Sequence, residues 1–173
     1  MNLPQTSLSD GAPVFLVGFM GAGKTTVGRA LALHLEYDFF DLDELIAARA
    51  EKSVQGIFAS LGEAEFRRLE SEAIQSCRGM ARAVIALGGG AYVSEKNRTL
   101  VRAIGKSVWL DCPLEVCLSR IAGDKSRPLL GDEDDMRALL AQRLSAYAQA
   151  DFAVQAAEFS PEDLAKKIIN LVS

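Results

Sequence analysis

The sequence predicts an α/β domain with a largely parallel sheet covered by helices on both faces, and two observations carry that prediction. Short apolar, β-rich runs alternate with longer stretches of helical apolar spacing, which is the pattern of strands buried on both faces and joined by helical crossovers. Serines stand where the helices must begin, at Ser53, Ser94 and Ser160, and Pro161 occupies the favoured first helical position after the last of them.

In chain order, residues 1–11 mix Ser, Pro, Gly and polar side chains without periodicity and read as a flexible leader. The strand runs follow at 14–17, 38–41, 84–87, 107–110 and 152–154. One segment departs from the alternation: residues 123–135, GDKSRPLLGDEDD, are polar and charge-dense between two helical stretches. A loop of that length inside a compact domain is more often a functional lid than spare chain. Its DEDD end, residues 132–135, suits the positive end of a helix. There is no internal repeat and no linker, so residues 12–173 read as one domain.

Composition limits the functions open to the chain. With 173 residues, 49% hydrophobic and 24% charged, it can bury a core without staples. Cys77, Cys112 and Cys117 are odd in number and lack CxxC spacing, so they read as reduced, buried small hydrophobes. No apolar stretch approaches the ~20 residues a membrane helix needs, and nothing near Met1 resembles a signal peptide, so a soluble, cytoplasmic protein is expected. A net charge of -4 without a dense Lys/Arg block argues against nucleic acid or an anionic membrane as partner. An anionic ligand must then be held by a few local arginines.

Immediately after the first strand run comes GFMGAGKT, residues 18–25, which satisfies GxxxxGK[ST] at every fixed position and runs into a helix. Phosphate oxygens need convergent N–H donors, and Gly18, Gly21 and Gly23 let the backbone curl closely enough to supply them at a helix N-terminus. Lys24 then reaches the β/γ-phosphates and Thr25 offers a hydroxyl to Mg²⁺. A chance match in a chain this long is on the order of one in a hundred or rarer. At the end of the second run stands FDLD, with Asp41 and Asp43. Two residues apart in extended chain they face one site, where one can hold Mg²⁺ through water while the other orients an acceptor hydroxyl; the plainer reading has Asp43 capping a helix. Gly88, Gly89 and Gly90 follow the third run and either approach a ligand closely or form a tight turn. In GEAEFRRLE, residues 62–70, spacing alone makes Arg67 an ion-pair partner of Glu63 four residues earlier. The bidentate carboxylate clamp is the functional alternative. His34, the only histidine, and Trp109 read as structural.

These segments, GFMGAGKTTVGRALA, FDLDELI, IFASLGEAEFRRLE, ALGGG, SRPLL and Arg143 in AQRLSAY, resemble the shikimate kinase family in order and spacing from Val14 to Ile169. The resemblance implies a P-loop NTPase of nucleoside-monophosphate-kinase-like architecture: three α/β/α layers, a five-stranded parallel sheet, a mobile lid near 123–135 and a substrate-binding helical region near 43–70. It implies transfer of phosphate from ATP to the 3-hydroxyl of shikimate, on the route to chorismate, by a monomer. By position it implies that Gly21, Ala22, Gly23, Lys24, Thr25, Thr26, Arg120 and Arg127 serve ATP, with Arg120 and the loop near Pro161 at the adenine. Thr25 and water-linked Asp41 would serve Mg²⁺. Asp43, Lys24 and Arg127 would be catalytic, with Asp43 also binding shikimate. Arg67 and Arg143 would clamp the carboxylate, Gly89 and Gly90 would give backbone contacts, Glu70 would support Arg67, and Phe58 and Phe66 would wall the pocket. The competing expectations are a gluconate or nucleoside-monophosphate kinase of the same fold, and a non-catalytic nucleotide-binding module.

Overall fold

The computed structural model describes residues 11–122 and 131–173. Five strands, β1 (Val14–Val17), β2 (Asp38–Asp41), β3 (Ala83–Ala86), β4 (Lys106–Asp111) and β5 (Phe152–Gln155), form one parallel sheet in the order β2-β3-β1-β4-β5. The third and fourth strands begin one residue earlier than the apolar runs suggest, because Ala83 and Lys106 pair with Asp38 and Val14. Every residue of β1 and β3 is buried, whereas β2 and β5 form the partly exposed edges. That is why the central strands read as unbroken apolar runs.

The helices are α1 (Lys24–Leu35), α2 (Leu42–Ala50), α3 (Val54–Ser76), α4 (Glu95–Ile104), α5 (Leu114–Ala122), α6 (Glu133–Tyr147) and α7 (Pro161–Val172), with a 3-10 turn at Ala91–Val93. Successive residues of a strand point to opposite faces. Accordingly Leu16 lies beside Gly28 of α1, while Phe15 lies beside Gly105 at the end of α4. On the first face α1 packs on α7; on the other α4 packs on α3. Three layers result, in agreement with the α/β/α architecture.

Five helices are started by side chains. Ser53, Ser94 and Ser160 accept from the amides of Gly56, Asn97 and Asp163, as their spacing suggests. Asp41 accepts from Asp43, and Asp132 forms a reciprocal capping box with Asp135. Residues 133–135 are therefore the first turn of α6 and not part of a loop, which corrects the reading of 123–135 as one segment. Residues 123–130, and the leader apart from Gly11, lie outside the described residues; the Gly11 carbonyl accepts the Arg82 amide at 2.8 Å. Gly62, at φ 81°, interrupts α3 between Leu61 and Glu63, so the EFRRLE stretch begins a second helical segment at a new angle. All three cysteines are free and buried, His34 is exposed with Nδ1 2.9 Å from the Ala30 carbonyl oxygen, and Trp109 is half-buried on β4. Among the described residues no helix is long and apolar enough to cross a membrane.

Gly105 joins α4 to β4 where the chain passes the start of β1. A Cβ there would run into the Pro13 carbonyl oxygen, and Pro13 O is also the acceptor for the Lys106 amide at 3.0 Å. Gly105→Ala is expected to lose about 1–3 kcal/mol of stability by overpacking this junction, measured as a lower midpoint in urea with an unchanged slope.

Candidate active site

The chain leaves β1 at Val17 and turns through Gly18–Gly23 into α1. Gly21 and Gly23 take φ of 76° and 96°, left-handed backbone that penalises any residue with a Cβ. At Gly21 there is also no room, since a Cβ would stand 2.5 Å from the Cys117 carbonyl oxygen. Lys24 Nζ donates to the carbonyls of Gly18 at 2.9 Å and Phe19 at 2.8 Å, closing the loop on itself. In contrast to the five capped helices, α1 starts at Gly23 with no side-chain cap. Its first-turn amides, including those of Thr25 and Thr26, are available to a ligand, and the helix dipole makes that ligand an anion.

Thr25 Oγ1 donates to Asp41 Oδ2 at 3.1 Å. The other oxygen of the same carboxylate accepts the Asp43 amide at 3.0 Å and so begins α2. This corrects the reading of Asp41 and Asp43 as a pair on extended chain. The strand ends at Asp41, Asp43 is the second residue of a helix, and Asp41 is the residue that caps. The Asp43 carboxylate still reaches the glycine turn after β3: its Oδ1 lies 2.8 Å from where a Cβ of Gly88 would sit. A glycine at 88 is thus required by the close approach of a carboxylate.

Arg67 comes from the second segment of α3, and its Nη1 would stand 2.6 Å from a Cβ on Gly90. Arg143 comes from α6, and its Nη1 would stand 3.1 Å from a Cβ on Gly89. The two guanidiniums, from helices on different parts of the chain, therefore meet at one glycine turn. Arg67 donates to Glu70 Oε2 at 2.6 Å and to Glu63 Oε1 at 3.2 Å, and the guanidinium lies 5.6 Å from the Phe66 ring centre. Arg67 thus pairs with Glu63, as the spacing suggests, and its guanidinium also lies against the glycine turn. Glu70 is only 1% exposed. Burial pushes its carboxyl above the usual range, the nearby Asp43 charge adds to this, and Arg67 and Arg143 oppose it. Burial works against the charge on Arg67, but pairing with Glu70 and Glu63 outweighs it and leaves the guanidinium more firmly protonated. Phe66 is buried and Phe58 exposed, with ring centres 4.5 Å apart.

On the other side of the phosphate loop, Arg120 Nη1 donates to the Ala22 carbonyl at 3.2 Å and Nη2 to the Ala156 carbonyl at 3.4 Å. A cavity of about 170 Å³ opens there, lined by Gly23, Thr26, Arg120, Phe159, Pro161 and Leu164 among others. It is apolar on the α7 side and adjoins the phosphate loop, which suits a purine. A larger depression, about 430 Å³ along β5 and α7, contains none of the residues singled out from sequence and no glycine-rich helix start, so the smaller cavity is the chemically suited one.

Lys24, Thr25, Thr26, Asp41, Asp43, Arg67, Glu70, Gly89, Gly90, Arg120 and Arg143 thus lie around one crevice at the carboxyl ends of β1, β2 and β3. Arg127 lies outside the described residues. Sequence reasoning missed three contributors. Phe159 faces the small cavity, Cys112 Sγ lies 3.7 Å from Arg120 Nη1, and Tyr147 donates to the Gly89 carbonyl at 2.5 Å. Only Tyr147 carried any signal, as an aromatic one helical turn beyond Arg143.

Comparison with known proteins agrees with this geometry. The shikimate kinase family model matches residues 20–173. A shikimate kinase of Geobacter sulfurreducens is 47% identical over 167 residues, covering 95% of this chain and 92% of the relative. One from Nostoc punctiforme is 43% identical over 171 residues, covering 96% and 94%. Among solved structures, the shikimate kinase of Acinetobacter baumannii in complex with shikimate superposes with a TM-score of 0.87 at 37% identity, covering 93% of this chain and 92% of that one. With the family model matching residues 20–173 and relatives at 43–47% identity over nearly the full length, the chain belongs to the shikimate kinase family.

Proposed function

We propose that the protein transfers the γ-phosphoryl group of ATP to the 3-hydroxyl of shikimate, giving shikimate 3-phosphate and ADP on the route to chorismate and the aromatic amino acids. The observation that carries the reading is the meeting of Arg67 and Arg143 at Gly89 and Gly90, beside Asp43 and across from the phosphate loop. A small ring acid held there by its carboxylate turns its hydroxyls toward Asp43. The naming of shikimate in the Acinetobacter baumannii complex supports the same acceptor.

Phosphoryl transfer passes through a loose transition state and asks chiefly for alignment and charge neutralisation. The first turn of α1 and Lys24 hold the β- and γ-phosphates. Thr25 Oγ1 and Asp41 Oδ2, 3.1 Å apart at the mouth of the loop, are hard oxygen donors suited to Mg²⁺, Asp41 acting through water. No group of three or more His, Cys, Asp or Glu capable of binding a metal exists among the described residues, and Mg²⁺ needs none, because it takes most of its ligands from water and phosphate. Bound there, Mg²⁺ would neutralise phosphate charge during the transfer. Asp43 orients the attacking hydroxyl and accepts its proton as the bond to phosphorus forms. Arg67 and Arg143 bind the acid end, with Glu70 fixing Arg67 and Phe58 and Phe66 walling the ring. Arg120 and the loop at Pro161 bind adenine, and Arg127, by the family resemblance, serves the transferring phosphoryl group. The protein acts as a cytoplasmic monomer.

A coupled ADP-release assay with shikimate, gluconate and AMP as acceptors tests the proposal. Turnover is expected with shikimate alone; a preference for gluconate or AMP would replace the acceptor, and ATP binding without any turnover would mean a non-catalytic module. Asp43→Asn should lower kcat by about 10²-fold or more, the scale of a lost general base, with little change in the KM for ATP. Near-parental turnover would remove Asp43 from the chemistry. Arg143→Ala should raise the KM for shikimate ~10-fold or more through loss of a charge-assisted hydrogen bond; a rise confined to ATP in the steady-state KM values would contradict its placement.

A further inference from the structure

Tyr147 is the last residue of α6, one turn beyond Arg143, and its side chain is fully buried. Its ring lies 6.2 Å from that of Trp109, the only tryptophan. A hydroxyl inside an apolar layer costs stability unless it is partnered, and this one is aimed outward from the core into the active-site turn, donating to the Gly89 carbonyl at 2.5 Å. The Arg143 guanidinium lies close enough to the same phenol to oppose the effect of burial, which holds the phenol at about 12. The group therefore stays a neutral donor across the working pH range.

The peptide geometry gives this bond a consequence. No peptide in the described chain is cis, and in a trans peptide the C=O and N–H point in opposite directions. Drawing the Gly89 carbonyl inward onto Tyr147 turns the Gly90 N–H outward, on the side where Arg67 lies against Gly90. Among the described residues the neighbouring backbone bonds of this turn are Ala91 N–H to Gly88 O at 3.0 Å and Val93 N–H to Gly90 O at 3.2 Å, and the Gly90 N–H donates to no backbone carbonyl. Gly90 is half-buried, so water can reach this N–H in the free protein, and a ligand carboxylate between the two arginines would take the place of that water as its acceptor.

The geometry points to Tyr147 as a positioning residue for the acid end of the substrate: it holds the Gly89–Gly90 peptide so that the Gly90 N–H and Arg143 converge on the substrate carboxylate. The inference rests on the proposed acceptor, and turnover of shikimate by the parent protein is the control for that reading.

Tyr147→Phe removes one oxygen and keeps the ring against Trp109. The expected result is a KM for shikimate raised ~10-fold, the scale of one lost active-site hydrogen bond and a misaligned second, with the KM for ATP and kcat within about 2-fold. Methyl shikimate, which has the ring hydroxyls but no carboxylate, should be phosphorylated equally poorly by parent and variant. A purely structural hydroxyl would lower the thermal midpoint yet leave the shikimate KM unchanged. That outcome overturns the proposal, as does an equal loss with acid and ester. In the intact parent protein, amide hydrogen exchange supplies an arm independent of any variant. The Gly90 amide should exchange readily in the free protein and become protected on addition of shikimate, but not of methyl shikimate. A Gly90 amide indifferent to shikimate, in a protein that turns shikimate over, would also refute the proposal.

Discussion

The uncapped start of α1 is the constraint around which this protein is arranged. Backbone amides at a helix start need acceptors, and the other starts with an assigned cap meet that need with Ser or Asp side chains. At α1 the need is left for phosphate. The strand feeding that helix is the middle one of the sheet, with β3 and β4 as its two neighbours. The loops that follow those neighbours consequently flank the phosphate loop on either side. The turn after β3 brings Gly88, Gly89 and Gly90 beside Asp43, Arg67 and Arg143, and the chain after β4 brings Cys112 and Arg120 to the other side of the loop. The division of the candidate site into two sides is thus a consequence of strand order, at the topological switch where open α/β sheets bind ligands.

The acceptor side shows what a buried carboxylate is for. Glu70 pays a desolvation penalty that its pairing with Arg67 only partly offsets, and buried ion pairs are seldom a net source of stability. Its value is geometric. Held by Glu70 on one side and Glu63 on the other, the Arg67 guanidinium loses rotamer freedom before substrate arrives, so less ordering remains to be done on binding. Arg143 is constrained differently, by the Phe19 ring 5.8 Å away and by Tyr147 behind it.

Much of this could be read from the sequence, and the legible part has a common physical character. The phosphate loop, the serine caps and the Glu63–Arg67 pair depend on neighbours within a few residues, so their spacing encodes their geometry. The Asp43 carboxylate faces the glycine turn from a helix and not from extended chain, because strand and helix periods cannot be separated over two residues when an aspartate begins a helix. The contacts that escaped are long-range: Tyr147 to Gly89 spans 58 residues and Arg120 to Ala22 spans 98. Only the folded sheet creates those pairs, and no local pattern marks them. Arg67 was ambiguous from spacing for a further reason. One rotamer pairs it with Glu63 and Glu70 and also sets it against Gly90.

The central position of β1 also bears on how the chain is made. Although β1 is the first strand to be synthesised, its partners are β3, at Ala83–Ala86, and β4, at Lys106–Asp111. Until those segments have emerged, four consecutive apolar residues and the glycine loop behind them have no sheet to join, and non-local parallel pairing is slow to form. The nucleotide cradle therefore precedes in sequence both strands that its own strand pairs with, and the pairing that fixes it on both sides waits on the synthesis of β4.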